Sequence, residues 1–448
     1  MVRSWMSKTL LGAGALSVAL AFGSTAWAQP RQGADMNFAA EGPPAEGPPS
    51  EALANALRLY QQERYQEAAV QFQRVVEGET QDAPANQQKA QFHLGKSLYH
   101  LRYYQSALAV FDEIVERGES HMYFRATLQW LAQLASQLPE PADIVRRVGR
   151  YSTEALGQFN NNENRNLYNQ LLYLMGRSKY RDGNYDEAIA LFRQVQRNSR
   201  YYVQAKFFEG ISHVSARRSQ PAVDAFREVL HALEEGVQGV EDEDRMADLA
   251  WLELARIYYS TRHYDSAVDS WNHVDVDSEY WLDALFEESW AYFLQQDYPR
   301  AMGNIHTLHS PFFQNAWYPE SMVLKSVIYF SNCRYDEAEE VVAQFNERYA
   351  SLRPELERFL QQYQDDPSFF TFLKNVREGH ANLPRRLRPV VESAFADRTL
   401  LRNLEYVAQL EAEERRHGGA PAAFRNSSVG ARILQDISVA KSFAIESA

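Results

Sequence analysis

Residues 173–195 read YLMGRSKYRDGNYDEAIALFRQV, and their spacing decides the fold. Gly176 precedes Ala188 by twelve positions, and Phe192 follows Ala188 by four. Apolar residues at steps of three and four predict two helices, the second opening at Tyr185-Asp186-Glu187, where acidic side chains suit the positive amino terminus. Antiparallel helices approach closely only where the facing side chains are small, so Gly176 and Ala188 predict a tightly packed helix hairpin.

The same unit recurs along the chain, which is typical of a repeat architecture. The recurring alanines are Ala68, Ala107, Ala188, Ala222, Ala267, Ala301 and Ala338. The small residues twelve positions before them are Ala56, Gly95, Gly176, Gly210, Ala255, Ser289 and Ser326. A tyrosine three positions before the alanine opens each second helix except one, where Ser219 takes its place. The sequence therefore predicts seven hairpins.

This pattern resembles the tetratricopeptide repeat family, whose period is about 34 residues. Ala188 to Ala222 and Ala267 to Ala301 are intervals of 34 residues. The resemblance implies an all-α fold: a right-handed superhelical solenoid over residues 51–352, with seven clear repeats and one degenerate repeat. We expect the degenerate repeat to place helices at about 123–138 and 142–151, and the acidic residues 237–244 to form a solvated loop.

After residue 352 the pattern fades, and residues 353–448 are predicted to be a helical carboxy-terminal cap or interaction region. Apolar spacing predicts helices at 354–364, 369–376, 390–416 and 429–445. Solenoids need a terminal cap with a polar outer face, so we expect these helices to cover the last repeat. A separate interaction helix is the alternative.

The first 28 residues have the three-part order of a secretory signal. Arg3 and Lys8 precede an apolar run over 10–22, and Ala26-Trp27-Ala28 ends the segment. We predict cleavage after Ala28 and a periplasmic protein. An uncleaved anchor is disfavoured because a membrane span needs about 20 apolar residues. No cysteine stands near the site for lipid attachment, and the Pro/Gly-rich residues 29–50 are predicted to be a linker.

Composition narrows the classes of partner. The formal charge of -13 disfavours nucleic acid and anionic membrane surfaces as main partners. The single cysteine, Cys333, cannot form an intramolecular disulfide. We predict a small buried residue there, with a reactive thiol as the alternative.

Sequence motifs of catalysis are missing from the chain: it has no phosphate loop, nucleophile elbow, metalloprotease motif or zinc-type cysteine pair. His306 and His309 stand three apart, but a metal site needs at least a third ligand. Helix-surface or packed histidines are the favoured interpretation. We therefore predict a protein that is not an enzyme and has no cofactor, metal or small-molecule substrate.

The resemblance to tetratricopeptide repeats also implies a binding surface, because the first helices of such repeats line a concave groove. The implied peptide-binding residues are Phe92, Lys96, Tyr99, Tyr173, Arg177, Tyr180, Leu252, Arg256, Tyr259, Phe286, Trp290, Phe293, Val323, Val327 and Phe330. Rings offer contact area at low entropy cost, and the three cations could pair with acidic groups of a partner.

A second interpretation of these residues is structural. Tyr99, Tyr180 and Tyr259 occupy a position that is commonly aromatic for packing in the family, and the cations could simply be solvated. Family members that clamp a terminal carboxylate use Asn and Lys in the first repeats. Leu53 and Leu57 stand at the corresponding positions here, which argues against carboxylate clamping.

A narrower resemblance lies in residues 285–293, 302–308, 310–313 and 319–320. These segments look like a myxobacterial and deltaproteobacterial group of exported tetratricopeptide proteins, some of which belong to envelope complexes for adventurous gliding motility. The resemblance implies a periplasmic scaffold or adaptor with protein partners. An envelope assembly or secretion accessory that binds client peptides transiently is the alternative, and a cell-wall enzyme or glycan binder is disfavoured because no acid pair or nucleophile is recognisable.

Overall fold

The computed structural model describes residues 48–237, 239–240, 242–313, 316–363 and 365–448. These residues form α-helices, short 3-10 turns and no β-strand, which confirms the predicted all-α class. The predicted signal sequence and residues 29–47 of the predicted linker lie outside the described residues.

The helices follow one another with short connections. They are α1 Glu51–Gln61, α2 Tyr65–Val76, α3 Pro84–His100, α4 Tyr104–Arg117, α5 Phe124–Ala135, α6 Ile144–Val148, α7 Thr153–Leu156, α8 Arg165–Arg181, α9 Tyr185–Phe192, α10 Tyr202–Ser215, α11 Ser219–Glu234, α12 Glu243–Ser260, α13 Tyr264–Trp271, α14 Trp281–Leu294, α15 Tyr298–Leu308, α16 Pro319–Ser331, α17 Tyr335–Tyr349, α18 Leu352–Leu360, α19 Asp366–Arg377, α20 Arg388–Ala394, α21 Arg398–Gly418, α22 Ala422–Arg425 and α23 Ser428–Glu446.

The chain divides into two compact units, with one boundary inside α8. The described part of the first unit is residues 48–178 and 398–448. The described part of the second unit is residues 179–397, without residues 238, 241, 314, 315 and 364.

In two hairpins, a glycine on the first helix receives a phenylalanine ring from the second helix. A Cβ built on Gly95 of α3 would lie 2.6 Å from Cε1 of Phe111 on α4. The same arrangement recurs in the second unit, where a Cβ on Gly210 would lie 2.7 Å from Cζ of Phe226. The recurring alanines are buried, and so are the rings four positions after the first five of them. Ile305 follows Ala301 and is buried, whereas Val342, which follows Ala338, is exposed. The sequence pattern is therefore a packing pattern between helices.

The turns inside the hairpins are equally regular. One residue between the two helices has a left-handed backbone, at Glu63, Arg102, Gly183, Arg217, Arg262, Gln296 and Cys333. A positive φ lets the chain reverse direction within three residues, and it costs a non-glycine residue on the order of 1 kcal/mol. Cys333, with φ of 55°, occupies such a turn and is exposed. The predicted burial of this cysteine is wrong, because a turn residue projects away from the helix interface.

The carboxy-terminal helices do not all follow the last repeat. Helix α18 contacts α17, as expected, but α21, α22 and α23 belong to the first unit. Helix α23 packs against α2 and α4 and buries Val429, Ile433 and Ile437. The prediction that this region covers the last repeat is therefore wrong for residues 398–448, which cap the first repeats.

Two predicted helices differ in the structure for local reasons. Within the predicted helix 142–151 only Ile144–Val148 is α-helical, as α6. A 3-10 turn at Glu140–Ala142 precedes it, and the left-handed backbone of Asp143 separates the two. The predicted helix at 390–416 is divided into α20 and α21, which end and begin on either side of residues 395–397.

Candidate functional site

The predicted groove residues of the first unit are enclosed by their own neighbours. The Nζ atom of Lys96 lies 4.9 Å from the ring centroid of Tyr60 and 5.3 Å from that of Trp130. Phe92 stacks on Tyr123 with centroids 4.6 Å apart. Lys96 is only 9% exposed, so its cation is held among rings of α1, α3 and α5, and cation–π attraction stabilises it there.

Tyr99 shows the same internal packing in α3. Its ring lies 5.3 Å from Trp130 and 5.4 Å from Tyr104, both in edge contacts. Burial raises the pKa of the Tyr99 hydroxyl to about 12, with a smaller contribution from Tyr104. These contacts are those expected of the structural interpretation of this position.

Arg177 on α8 is part of an ion-paired cluster. Its guanidinium pairs with Glu140, and the other carboxylate oxygen of Glu140 lies 2.5 Å from Nη1 of Arg402 on α21. The Arg177 guanidinium also lies 5.7 Å from the ring centroid of Tyr173, which is buried. Arg402 was not predicted, because no sequence pattern links α21 to this repeat.

In the second unit, the guanidinium of Arg256 on α12 is paired with carboxylates, as that of Arg177 is in the first unit. Its Nε and Nη2 atoms contact Glu287 on α14 at 3.0 and 2.7 Å, and Nη1 lies 2.8 Å from Glu253. Trp271 donates from Nε1 to Glu287 at 3.2 Å. Burial opposes the charge of Arg256, but the carboxylates of Glu287 and Glu253 hold the pKa of its guanidinium above the usual range.

The aromatic residues of the second unit form a partly open row. Phe286 packs on Tyr318 at 5.7 Å, and Trp290 meets Phe293 edge-on at 6.0 Å. Tyr259 contacts Trp271 at 5.9 Å, and the hydroxyl of Ser215 donates to the hydroxyl of Tyr180 at 3.4 Å. All of these predicted groove residues are half-buried, whereas Leu252 is fully enclosed.

The edge of this row is exposed. Phe330 is 64% and Val323 44% exposed on α16, and Leu294 is 38% exposed at the end of α14. We name the whole surface the α12–α14–α16 face. It consists of Glu253, Arg256, Tyr259, Asp283, Phe286, Glu287, Trp290, Phe293, Leu294, Val323, Val327 and Phe330.

The acidic residues of this face were missed by the sequence analysis. Asp283 accepts a hydrogen bond from the Tyr318 hydroxyl at 2.6 Å, and Glu287 and Glu253 enclose Arg256. Asp283 and Glu287 stand four residues apart on α14, adjacent to the predicted groove position Phe286. That spacing was the available signal, because residues four apart share a helix face.

Other chemistry is sparse in the described residues. His309 hydrogen-bonds through Nε2 to the Ser321 hydroxyl at 2.7 Å, burial lowers its pKa to about 4, and His306 is exposed. Across the part of the chain that the structure describes, no group of three potential metal ligands converges. None of the helices described is both long and apolar enough to span a membrane.

Comparison with known proteins agrees with the repeat geometry. The tetratricopeptide repeat model matches residues 53–121 and 173–237. The tetratricopeptide repeat is supported over these two segments. They contain α1 to α4 and α9 to α11, the hairpins in which Gly95 and Gly210 receive their rings. Proteins with this repeat generally mediate protein–protein interactions. No curated protein matches the sequence.

Solved structures give weak similarities. The apo form of RapI is 11% identical, with a TM-score of 0.41, over 79% of this chain and 97% of that chain. The apo quorum sensor NprR from B. thuringiensis is 11% identical, with a TM-score of 0.34, over 86% and 97%. A tetratricopeptide repeat protein from Parabacteroides merdae is 13% identical, with a TM-score of 0.28, over 66% and 91%.

Proposed function

We propose that this chain is an exported, non-enzymatic scaffold that holds other proteins in the cell envelope. The observation that carries the proposal is the α12–α14–α16 face, where first helices of three successive hairpins present a row of rings beside exposed Phe330 and Val323. Large side chains that are already ordered give contact area at low entropy cost, and such surfaces suit extended or helical segments.

The envelope location rests on the amino-terminal sequence. Arg3, Lys8, the apolar run 10–22 and Ala26-Trp27-Ala28 support export and cleavage. Mass spectrometry of the protein isolated from a periplasmic fraction should give Gln29 as the first residue. The likeness of residues 285–293 to exported gliding-motility proteins supports a partner in a motility machine of the envelope.

Crosslinking and co-purification from native envelopes test the scaffold. The informative variant is Val323→Ser with Phe330→Ser, because both side chains are exposed and their loss leaves the core intact. Phe443→Ser is the matched control, since Phe443 is 57% exposed on α23 of the first unit. We expect one dominant partner with the wild type and the control, and its loss with the double variant.

Two other outcomes would contradict the proposal. Retention of the partner by the double variant would exclude the α12–α14–α16 face as the binding surface. Capture of many proteins without a dominant one would favour the assembly or secretion accessory. Charge reversal of Lys96, Arg177 or Arg256 is unsuitable for this experiment because each cation has contacts within its own unit.

A further inference from the structure

The polar centre of the α12–α14–α16 face contains more carboxylates than cations. Glu253, Asp283 and Glu287 surround Arg256, whose guanidinium already contacts Glu253 and Glu287. Asp283 has the Tyr318 hydroxyl as its hydrogen-bond donor. The formal charge of these four side chains is therefore negative, although the sequence suggested a cationic groove.

These carboxylates are also poorly hydrated. The side chain of Glu253 is 5% exposed and that of Glu287 13%. Burial raises the pKa of both Glu253 and Asp283, and their acidic neighbours add to the effect. A further anion at this place would add repulsion in a poorly solvated site, whereas a cation would relieve it.

The α12–α14–α16 face also presents aromatic and apolar side chains in addition to these carboxylates. Trp290 and Phe293 lie one and two turns along α14 from Phe286, and their half-buried rings can attract a cation as well as an apolar group. Phe330, Val323 and Leu294 are large apolar side chains left exposed at the edge. Exposed apolar side chains that cluster on one face are typical of interaction sites.

We infer that the segment bound by this face carries a lysine or arginine beside a large apolar side chain. The cation approaches Asp283 and Glu287, and the apolar side chain packs against Phe330 and Val323. This inference rests on the proposed function, since it specifies the chemistry of the partner. It also excludes the acidic or terminal-carboxylate partner that Arg256 suggested from the sequence.

The test uses the full exported chain and a phage-displayed library of random short peptides. We expect the selected peptides to be enriched in Lys or Arg next to Phe, Leu, Ile or Trp. Two of them are then made synthetically with a fluorescent label, each also in a version with Glu in place of the basic residue. Fluorescence anisotropy should show binding of the basic peptides that weakens as salt is raised, and at least about tenfold weaker binding of the acidic versions, about 1.4 kcal/mol.

Variants locate the binding site. Asp283→Asn keeps an oxygen that can accept from Tyr318, and Phe330→Ala removes an exposed ring, so both should fold as judged by circular dichroism. We expect each to weaken binding of the basic peptides about tenfold. Asp336→Asn, an exposed carboxylate of α17 in the same unit, is the matched control and should bind as the wild type does.

The inference is overturned by three results: selection of acidic or uncharged peptides, selection of none above background, or equal binding by Asp283→Asn, Phe330→Ala and the wild type. These results differ from failure of the proposed function. A dominant envelope partner that is lost from the Val323→Ser, Phe330→Ser variant would preserve the scaffold even if the bound segment were not basic.

Discussion

Glu413 is a buried carboxylate at the amino end of α4. It accepts backbone hydrogen bonds from Tyr104 at 3.1 Å and Gln105 at 3.4 Å, although it lies on α21. The residue before α4, Tyr103, provides no side-chain cap. Glu413 therefore satisfies helix donors that would otherwise be unpaired, and it connects the carboxy-terminal helices to the first repeats.

The charge state of Glu413 predicts how stability depends on pH. Burial raises its pKa to about 8, against the lowering effects of the Gln105 and Tyr104 amides and of Arg416. Since the folded pKa lies above the ordinary glutamate value of 4.5, Glu413 contributes full stability below about pH 4.5 and loses it as the pH rises through about 8. We expect the free energy of unfolding of the wild type to fall over this window, by on the order of a few kcal/mol.

Glu413→Gln should remove most of that pH dependence, because glutamine keeps an acceptor oxygen and has no charge to bury. Glu414→Gln is the control, since the side chain of Glu414 is 50% exposed and pairs with Lys441. Urea denaturation of the three proteins at several pH values measures the difference. The same slope in wild type and Glu413→Gln would contradict the assignment.

The buried ion pairs of Arg256 predict a loss of stability when the cation is removed. Arg256→Met leaves Glu253 and Glu287 buried without their counter-ion, which should cost about 3 kcal/mol in the free energy of unfolding. The loss should be smaller at acid pH, since protonated carboxyls need no counter-ion. Arg300→Met is the control: its side chain is 68% exposed beside Asp297, so we expect a loss below about 1 kcal/mol by urea denaturation.

Two glycines of the helix hairpins, Gly95 and Gly303, predict opposite effects of substitution by alanine on stability. Gly95→Ala would place a Cβ 2.6 Å from a carbon of the Phe111 ring, so the ring must move and we expect a loss of about 1–3 kcal/mol. Gly303→Ala on α15 meets nothing within 4 Å and replaces a helical glycine, so it should gain up to about 1 kcal/mol. Thermal denaturation should move in opposite directions for the two variants, and a similar shift for both would refute the packing role of Gly95.

The carboxy-terminal helices are elements that stabilise a distant part of the sequence. Tyr103 of the first repeats stacks with Phe424 of α22 at 6.1 Å, and Arg432 of α23 pairs with Glu113 of α4 at 2.5 Å. Gln409 of α21 donates to the backbone oxygen of Gln137 at 2.8 Å. Helices α21 to α23 thus behave as part of the first unit although they end the chain.

For the whole molecule, this arrangement predicts which unit responds to truncation. Deletion of residues 419–448 removes α22 and α23 and exposes the faces of α2 and α4 that they cover. We expect aggregation and faster amide exchange over residues 51–117, with little change over 202–308 of the second unit. Hydrogen exchange by mass spectrometry measures both regions. Faster exchange confined to residues 319–360 would contradict this prediction, because it would mean that the deleted helices cover the last repeat.

The hairpins could be predicted from the sequence because their determinants are local. The small residue, the alanine twelve positions later and the apolar residue four beyond it lie within one hairpin, and the helical period fixes which side chains meet. The candidate groove positions on the first helices were placed by counting from the small residue of each hairpin. The exposure of Cys333 could not be predicted in this way, since the sequence pattern does not show which turn residue takes a left-handed backbone.

What the sequence alone determined is therefore the all-α class, the hairpins and the positions of the aromatic rows. The tertiary structure decided that Glu413 caps a helix 309 positions away and that Arg256 is enclosed by a carboxylate 31 positions away on another helix. Helical periodicity is a local property of the chain, whereas burial and ion pairing depend on which distant helices come together. For that reason the charge of the α12–α14–α16 face, and with it the proposed chemistry of the partner, could be obtained only from the folded protein.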